Sequence, residues 1–442
     1  MPTTNEAQPV TQRRILLFFA PLAVSWIFMS LEGPITSGII SRRPGEEVAL
    51  AAMGILMALA IFIESPVIDL LSTSTTLCRT HANYVQLRRF TALLMLWTAA
   101  VHALVTLTPV YWLVVETLIG AEHSVAVVLR PAMAIMIPWA AFVGWRRFHH
   151  GILIRFDNTR PVGIGTFVRV LSILAIGITL YHMTDLPGLT VAAWALLGSV
   201  VAETTFIHFV TRPTIRRNLD PMIGTEQNKG VSLQRMWEFH YPLSLATMTM
   251  ILSMPLVSAA LARSPESTRT LAAWGIAMSV VFMFRSITFA LPETIIALYK
   301  DEQTRTELAK FCTKTGIACS AAILVAYYSG AADFLFHRIL DSKLEVAKAA
   351  SFALLVSVAV PLVNSRASLV RGLLTAHHRT KPRVVAIGLA VGALSAALAL
   401  GVAMQWDGLI VIGIAMTIQV AAELVVLAAY WRNTDRVLTD YS

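Results

Sequence analysis

The sequence predicts an all-α integral membrane protein of about twelve transmembrane helices, arranged as two six-helix lobes around a central cleft. Three observations carry this. Of 442 residues, 56% are hydrophobic and only 14% are Asp, Glu, Lys or Arg, against roughly 25% charged in soluble domains. The mean hydropathy is +0.67, and apolar runs of about 20 residues, enough to cross a bilayer, recur along the chain. Motifs of the first half also return in the second half at one fixed spacing.

The first half yields spans over Ile15–Ser41, Ala49–Leu77, Phe90–Leu107, Ala126–Phe148, Val162–Met183 and Val191–Val210. The second yields Phe239–Ala262, Leu271–Leu298, Phe311–Tyr328, Ala347–Leu374, Val384–Met404 and Leu409–Trp431. The longest, Ala49–Leu77, runs to 29 residues, roughly 43 Å at ~1.5 Å per residue. Such spans must tilt, bend or protrude, and Pro34, Pro138, Pro255 and Pro361 are the expected bends. Residues 1–210 form one lobe and 236–442 the other. The polar stretch 211–235, with Pro213, Pro221, Gly224 and Gly230, is the connector.

The formal net charge of +9 belongs to connectors, so it reads as membrane topology and not as nucleic-acid binding. One set of connectors holds Arg79, Arg88 and Arg89; Arg146, Arg147, Arg155 and Arg160; Arg212, Arg216, Arg217, Lys229 and Arg235. The same side receives Lys300, Arg305 and Lys310, then Arg379, Lys381 and Arg383, then Arg432 and Arg436. The opposite side has chiefly Arg42, Arg43, Arg263 and Arg269. The positive side is cytoplasmic, which places both termini in the cytoplasm and the chain in the inner membrane. Residues 1–10 are polar and carry no mark of a removable signal. Cys78, Cys312 and Cys319 show no metal spacing and no disulfide framework.

The repeat has an offset of 221. Pro21-Leu22 answers Pro242-Leu243, Pro34 answers Pro255, Arg42 answers Arg263, and Leu50-Ala51-Ala52 answers Leu271-Ala272-Ala273. Further on, Gly151 answers Gly372, and Thr159-Arg160-Pro161 answers Thr380-Lys381-Pro382. With a slip of one, Ala202-Glu203 answers Ala422-Glu423. An even number of spans per half makes this a parallel repeat, with a pseudo-twofold along the membrane normal. Two lobes of this kind suit alternating access, and so a secondary transporter.

Phe18-Phe19-Ala20-Pro21-Leu22 and Phe239-His240-Tyr241-Pro242-Leu243, each opening a six-span half, resemble the multidrug/oligosaccharidyl-lipid/polysaccharide (MOP) flippase superfamily. Its best-known branch is the multidrug and toxic-compound extrusion (MATE) transporters. Leu50-Ala51-Ala52-Met53-Gly54, Ser65-Pro66 and the terminal Ala422-Glu423 span are most similar to the progressive ankylosis protein family. The multidrug branch implies proton- or sodium-driven export. The ankylosis branch implies efflux of organic anions such as citrate, nucleotide or pyrophosphate. Multidrug members carry an Asp in the outer half of span one. Here the acid in that span is Glu32, about a turn earlier.

Charges inside spans are costly and mark function by default. Glu32 precedes Gly33-Pro34, and its carboxylate with the carbonyl freed by Pro34 could hold a coupling proton or sodium ion. Arg169 and Glu203, in neighbouring spans at similar depth, are the expected structural ion pair. Arg366 and Arg371, with Asn364, supply planar cationic forks suited to carboxylate or phosphate, whereas Arg146 and Arg147 read as snorkelling to headgroups. Glu64 and Arg285 stand at equivalent repeat positions with opposite charge. The superfamily resemblance brings their spans together, as a gating pair. No nucleotide loop, metal cluster or Ser/His/Asp arrangement appears, so neither an enzyme nor a cofactor is expected beyond a coupling ion. The reading is an exporter of an anionic or amphipathic small molecule, a monomer whose partners are the lipid bilayer and its substrate. The alternatives are a cationic-drug antiporter, a flippase for a lipid-linked precursor, and a non-transporting scaffold.

Overall fold

Apolar runs of this length have only their own backbone to hydrogen-bond in hydrocarbon, which forces helix. The computed structural model describes residues 11–261, 263–339 and 344–440, and among them every regular element is helical. The first half comprises α1 (Gln12–Ser30), α2 (Glu32–Ile40), α3 (Glu46–Ile68), α4 (Leu70–Leu77), α5 (His81–Leu107), α6 (Val110–Trp112), α7 (His123–Ile135), α8 (Trp139–Arg155), α9 (Arg160–Met183) and α10 (Gly188–Asn218). The second comprises α11 (Leu233–Ile251), α12 (Ser253–Leu261), α13 (Ser267–Thr288), α14 (Leu291–Leu298), α15 (Glu302–Tyr328), α16 (Ala331–Phe334), α17 (Leu344–Val356), α18 (Ala359–Ala376), α19 (Lys381–Ala403) and α20 (Gly408–Asp440). Among the described residues, 11 stretches are long and apolar enough to cross a membrane, and α7 with α8, bent by 45°, makes a twelfth. Ala262, the side chains of Arg269 and Arg436, and residues 1–10 lie outside the described residues.

The sequence offset is also the structural one. The bounds of α2 and α12 differ by 221 (253 − 32 and 261 − 40), as do those of α5 and α15 (302 − 81 and 328 − 107). Proline sets the breaks, because it has no N–H for the carbonyl four residues earlier. Pro34 deprives Ser30, where α1 ends, and Pro255 deprives Ile251, where α11 ends. Pro138 fills the break between α7 and α8, and Pro361 follows the break between α17 and α18. The caps repeat too. Thr80 accepts from the Asn83 backbone N–H at 3.2 Å, and Asp301 accepts from that of Thr304 at 2.8 Å. That bond holds the Asp301 carboxyl below the ordinary carboxylate range.

Packing divides the chain into two compact units, Ile27–Met248 and Met1–Trp26 with Thr249–Ser442. The divisions fall inside α1 and α11, not in the 211–235 connector, and side-chain bonds give the reason. In the Ile27–Met248 unit, His240 of α11 bonds the Pro66 carbonyl at 2.7 Å and the Thr73 hydroxyl at 2.8 Å. Thr247 donates to Asp69 at 2.6 Å. These groups sit at the break between α3 and α4, whose loose backbone they satisfy. In the other unit, Gln12 of α1 donates to both the carbonyl and the carboxylate of Glu307 at 2.8 Å. Phe19 meets Phe311 edge-on at 5.2 Å. Each unit has its own apolar core, around Leu56, Leu129 and Leu196 in one and around Ala350, Leu394 and Ile412 in the other.

Gly151 and Gly372 are where helices touch backbone to backbone. A Cβ at Gly151 would lie 2.7 Å from the Leu71 carbonyl oxygen and 2.4 Å from Ser74 Cβ. One at Gly372 would lie 2.7 Å from Ile295 Cβ and 3.1 Å from the Pro292 carbonyl oxygen. Gly388 has open space around it. Gly151→Val and Gly372→Val should therefore each cost about 1–3 kcal/mol or more by overpacking, seen as a lower melting temperature in detergent. Gly388→Ala should leave it unchanged or slightly raised. Equal behaviour of all three would refute the close approach.

Candidate functional site

A charge buried in a span needs a counter-charge and hydrogen bonds, and the Ile27–Met248 unit supplies both as one network. Arg169 of α9, 2% exposed, reaches Glu32 at the start of α2. Its Nη2 donates to Oε2 at 2.7 Å, and Nε lies 2.6 Å from Oε1. The second contact is at ion-pair distance but misses hydrogen-bond geometry, since neither atom has a hydrogen-bond partner among the described residues. Glu203 of α10, fully buried, accepts from Arg146 Nη1 of α8 at 2.6 Å and from the Thr166 hydroxyl at 3.3 Å. Arg169 Nη1 stands 3.6 Å from Glu203 and His150 Nε2 stands 3.9 Å from it. Trp139 extends the network: Arg169 lies over its ring at 5.1 Å, and its Nε1 donates to Glu64 at 2.5 Å. Five helices, α2, α3, α8, α9 and α10, meet through these side chains.

The other unit has a shorter chain of polar contacts. Arg371 of α18 bonds Glu423 of α20 through Nε at 2.6 Å and Nη2 at 3.1 Å, and donates from Nη2 to Asn364 at 2.9 Å. Asn364 donates to the Thr288 hydroxyl at 2.5 Å. Arg285, one turn before Thr288, is 8% exposed and lies over Phe289 at 5.7 Å. The charges acting on it are Arg371 and Glu423, yet its Nε has no hydrogen-bond partner among the described residues.

These contacts revise several sequence expectations. Arg169 and Glu203 are within ion-pair range, but each has a nearer partner, Glu32 for the first and Arg146 for the second. Glu32, expected at a cation site, has both carboxylate oxygens against one guanidinium. Arg146 and Arg147 do not snorkel; they are 2% and 6% exposed. The repeat contained the warning, since offset 221 maps them onto Ala367 and Ser368, small residues with no exposure. Arg366 is exposed and turns away from Asn364 and Arg371, because two positions on a helix rotate by about 200°. The repeat also keeps one contact: His150 and Arg371 are equivalent positions, and each faces the terminal-span acid of its half, Glu203 or Glu423. Among the described residues no three His, Cys, Asp or Glu side chains gather as a metal site.

The sequence model described as "Progressive ankylosis protein (ANKH)" matches residues 7–270. No curated protein sequence matches the chain significantly. The fold is that of MOP superfamily transporters. A MOP superfamily transporter from Pyrococcus furiosus, reported with a binding pocket of reversed polarity that suggests a different function, superposes with a TM-score of 0.77 at 14% identity, covering 99% of this chain and 100% of its own. An outward-facing MATE family multidrug resistance transporter gives 0.76 at 14% identity with both chains fully covered. A mutant Vibrio cholerae MATE transporter gives 0.72 at 16% identity and 97% of each chain.

Removing Glu203 leaves Arg146 buried without its carboxylate. Breaking a buried pair from one side costs roughly 3–5 kcal/mol, so Glu203→Ala should lower the melting temperature steeply. Arg235→Ala breaks only an exposed pair with Glu238 and should not move it measurably. A Glu203→Ala protein as heat-stable as the parent would mean that the network does not hold the unit together.

Proposed function

The chain belongs to the progressive ankylosis protein family, and we propose that it is a secondary transporter of the inner membrane that exports an anionic or amphipathic small molecule by alternating access. The fold it shares over its whole length with MOP transporters supports transport. The observation that carries the anionic preference is Arg285. A guanidinium buried in a span without an ion pair is unfavourable, and Arg285 has none among the described residues, whereas Arg169 and Arg146 face Glu32 and Glu203. An arriving carboxylate or phosphate offsets that by accepting charge-assisted, bidentate bonds. Arg371 nearby is already held by Glu423 and Asn364, which leaves Arg285 as the group with capacity to spare. In the Ile27–Met248 unit the carboxylates of Glu32 and Glu203 face guanidinium groups, so a cationic substrate would have to displace arginine. The Pyrococcus furiosus neighbour, with its reversed pocket polarity, is a precedent for one fold carrying either sign.

Ion coupling is assigned to Glu32. A proton on its carboxyl removes the charge that holds Arg169 and so frees α2 and α9 to move apart. Both termini face the cytoplasm, by the Lys/Arg bias of the connectors.

Counterflow in proteoliposomes with citrate, a nucleotide, a lipophilic cation and a lipid-linked precursor tests the substrate class. Exchange of an anion and not of the cation is expected. Arg285→Gln should slow anion exchange by about tenfold or more, as expected for loss of one charge-assisted bond of roughly 1.5–3 kcal/mol, while the protein still elutes as a single species. Unchanged exchange would remove Arg285 from the site. Glu32→Gln should flatten the dependence of uptake on the pH or sodium gradient, and full retention of that dependence would place coupling elsewhere. Single cysteines at Thr3→Cys and Ser442→Cys, both outside the described residues, should resist an impermeant label applied from outside; ready labelling reverses the topology.

A further inference from the structure

The Thr249–Ser442 part of its unit contains a second cationic feature, separate from Arg285. A cavity of about 680 Å³ opens between α15 and α18, with Trp431 of α20 at its edge. Four basic side chains line it: Arg305, Lys310, Lys314 and Arg366. Helix geometry explains the cavity. At Gly316 the two helices touch, since a Cβ there would meet Leu362 Cα and Ser365 Oγ at 2.9 Å. The cavity lies on the side of that contact toward the start of α15, lined by Thr306, Ala309 and Thr313 of α15 and by Leu369, Val370 and Leu373 of α18.

Charge in this cavity is incompletely balanced. Arg305 pairs with Glu302 and Lys310 pairs with Glu307. Lys314 and Arg366 are exposed and have no ion pair among the described residues. From Arg305 to Lys314 the positive charge descends about 13 Å along the helix at ~1.5 Å per residue. Leu369 and Leu373 of α18 form an apolar wall beside it. The face of α15 that carries Thr306, Lys310 and Thr313 continues, at helical spacing, through Ile317, Leu324 and Tyr328, which are 53%, 37% and 77% exposed. One continuous surface thus runs from lysines to bare hydrocarbon, within a segment apolar enough to span a bilayer.

We propose that this cavity is a binding site for an anionic phospholipid, with the headgroup phosphate on Lys310, Lys314 and Arg366 and an acyl chain along Ile317 and Leu324. A soluble anion would use the basic groups and leave the apolar track bare, whereas a lipid uses both. Basic pockets between transmembrane helices take acidic headgroups for this reason. The proposal is independent of the transport reading: Arg366 faces away from the Asn364–Arg371 side of α18, and no group assigned to the transported anion is used.

The test uses the purified full-length chain in mixed micelles, with melting temperature followed against the mole fraction of phosphatidylglycerol or phosphatidylcholine. Phosphatidylglycerol should raise the melting temperature saturably and phosphatidylcholine should not. Lys310→Gln with Lys314→Gln should increase the half-saturating fraction by roughly 30-fold, at about fivefold per basic side chain near an anionic surface. Ala309→Phe fills the cavity without changing charge and should weaken the response similarly, so it decides the matter if the lysine variant does not fold. Parent-like saturation in the double lysine variant, or in Ala309→Phe where that alone folds, overturns the proposal. So does millimolar inorganic phosphate that reproduces the shift and displaces the lipid, since the site would then take a free anion.

Discussion

Arg169 is the side chain on which the Ile27–Met248 unit depends. It is a permanent charge in a span, and hydrocarbon offers it nothing. Its partners must therefore come from neighbouring helices, and they do: Glu32 from α2 and Glu203 from α10, with Trp139 of α8 under its guanidinium. Glu203 then needs a further cation, which Arg146 provides. Each pairing fixes the azimuth of one more helix, so the network specifies which faces of α2, α8, α9 and α10 turn inward. Apolar packing alone would specify them weakly, because lipid tails solvate leucine as well as another helix does.

What could be read from the sequence was local or repeated. The breaks after Ser30 and Ile251 follow from Pro34 and Pro255 with no knowledge of neighbours. Gly151 and Gly372 announce themselves by standing at the same place in both halves, and the structure gives the shared reason in the close approach of α8 to α4 and α18 to α14. Partner choice was not legible. Sequence gives depth along a helix but not its rotation, so it pairs Arg169 with Glu203 although Glu32 is nearer. Arg146 and Arg147 misled because a basic pair near a span end normally reaches headgroups. Their repeat equivalents Ala367 and Ser368, small residues suited to an interior, argued otherwise. The packing of the first part of α1 against α15 depends on bonds such as Gln12 to Glu307, 295 residues apart, and no local pattern encodes them.

The two halves descend from one pattern, and their charges show where they have diverged. A nitrogen-bearing side chain on α8 or α18 stands near an acid on α10 or α20 in both halves, His150 at 3.9 Å from Glu203 and Arg371 at 2.6 Å from Glu423. Around that common contact the substitutions are large. Offset 221 replaces Glu32 and Arg169 by Ser253 and Ala390, and exchanges Glu64 for Arg285. The first half gains a network in which Arg169 and Arg146 face Glu32 and Glu203, and becomes a braced body. Among the described residues the second half has no such network, and its buried Arg285 has no ion pair. Duplication supplies the scaffold; unequal charging of equivalent positions gives the two halves different polar interiors.

Helix α18 carries polar groups on two opposite faces. Asn364 and Arg371 lie seven positions apart, two full turns, and so share the face turned to Thr288 and Glu423. Arg366 lies on the opposite face, over the cavity shared with α15. A ligand on one face influences the other only if α18 has two positions and the ligand prefers one of them. Gly316 holds α18 against α15 at Leu362 and Ser365, and the cavity lies past that contact. An occupant there would lie against Leu369, Val370 and Leu373, the segment of α18 that bears Arg371. By linkage, an anion that moves Arg371 alters the grip on the occupant by the same factor. A lipid in the proposed cavity site and an anion at the proposed Arg285 site would be coupled only to the extent that both shift α18.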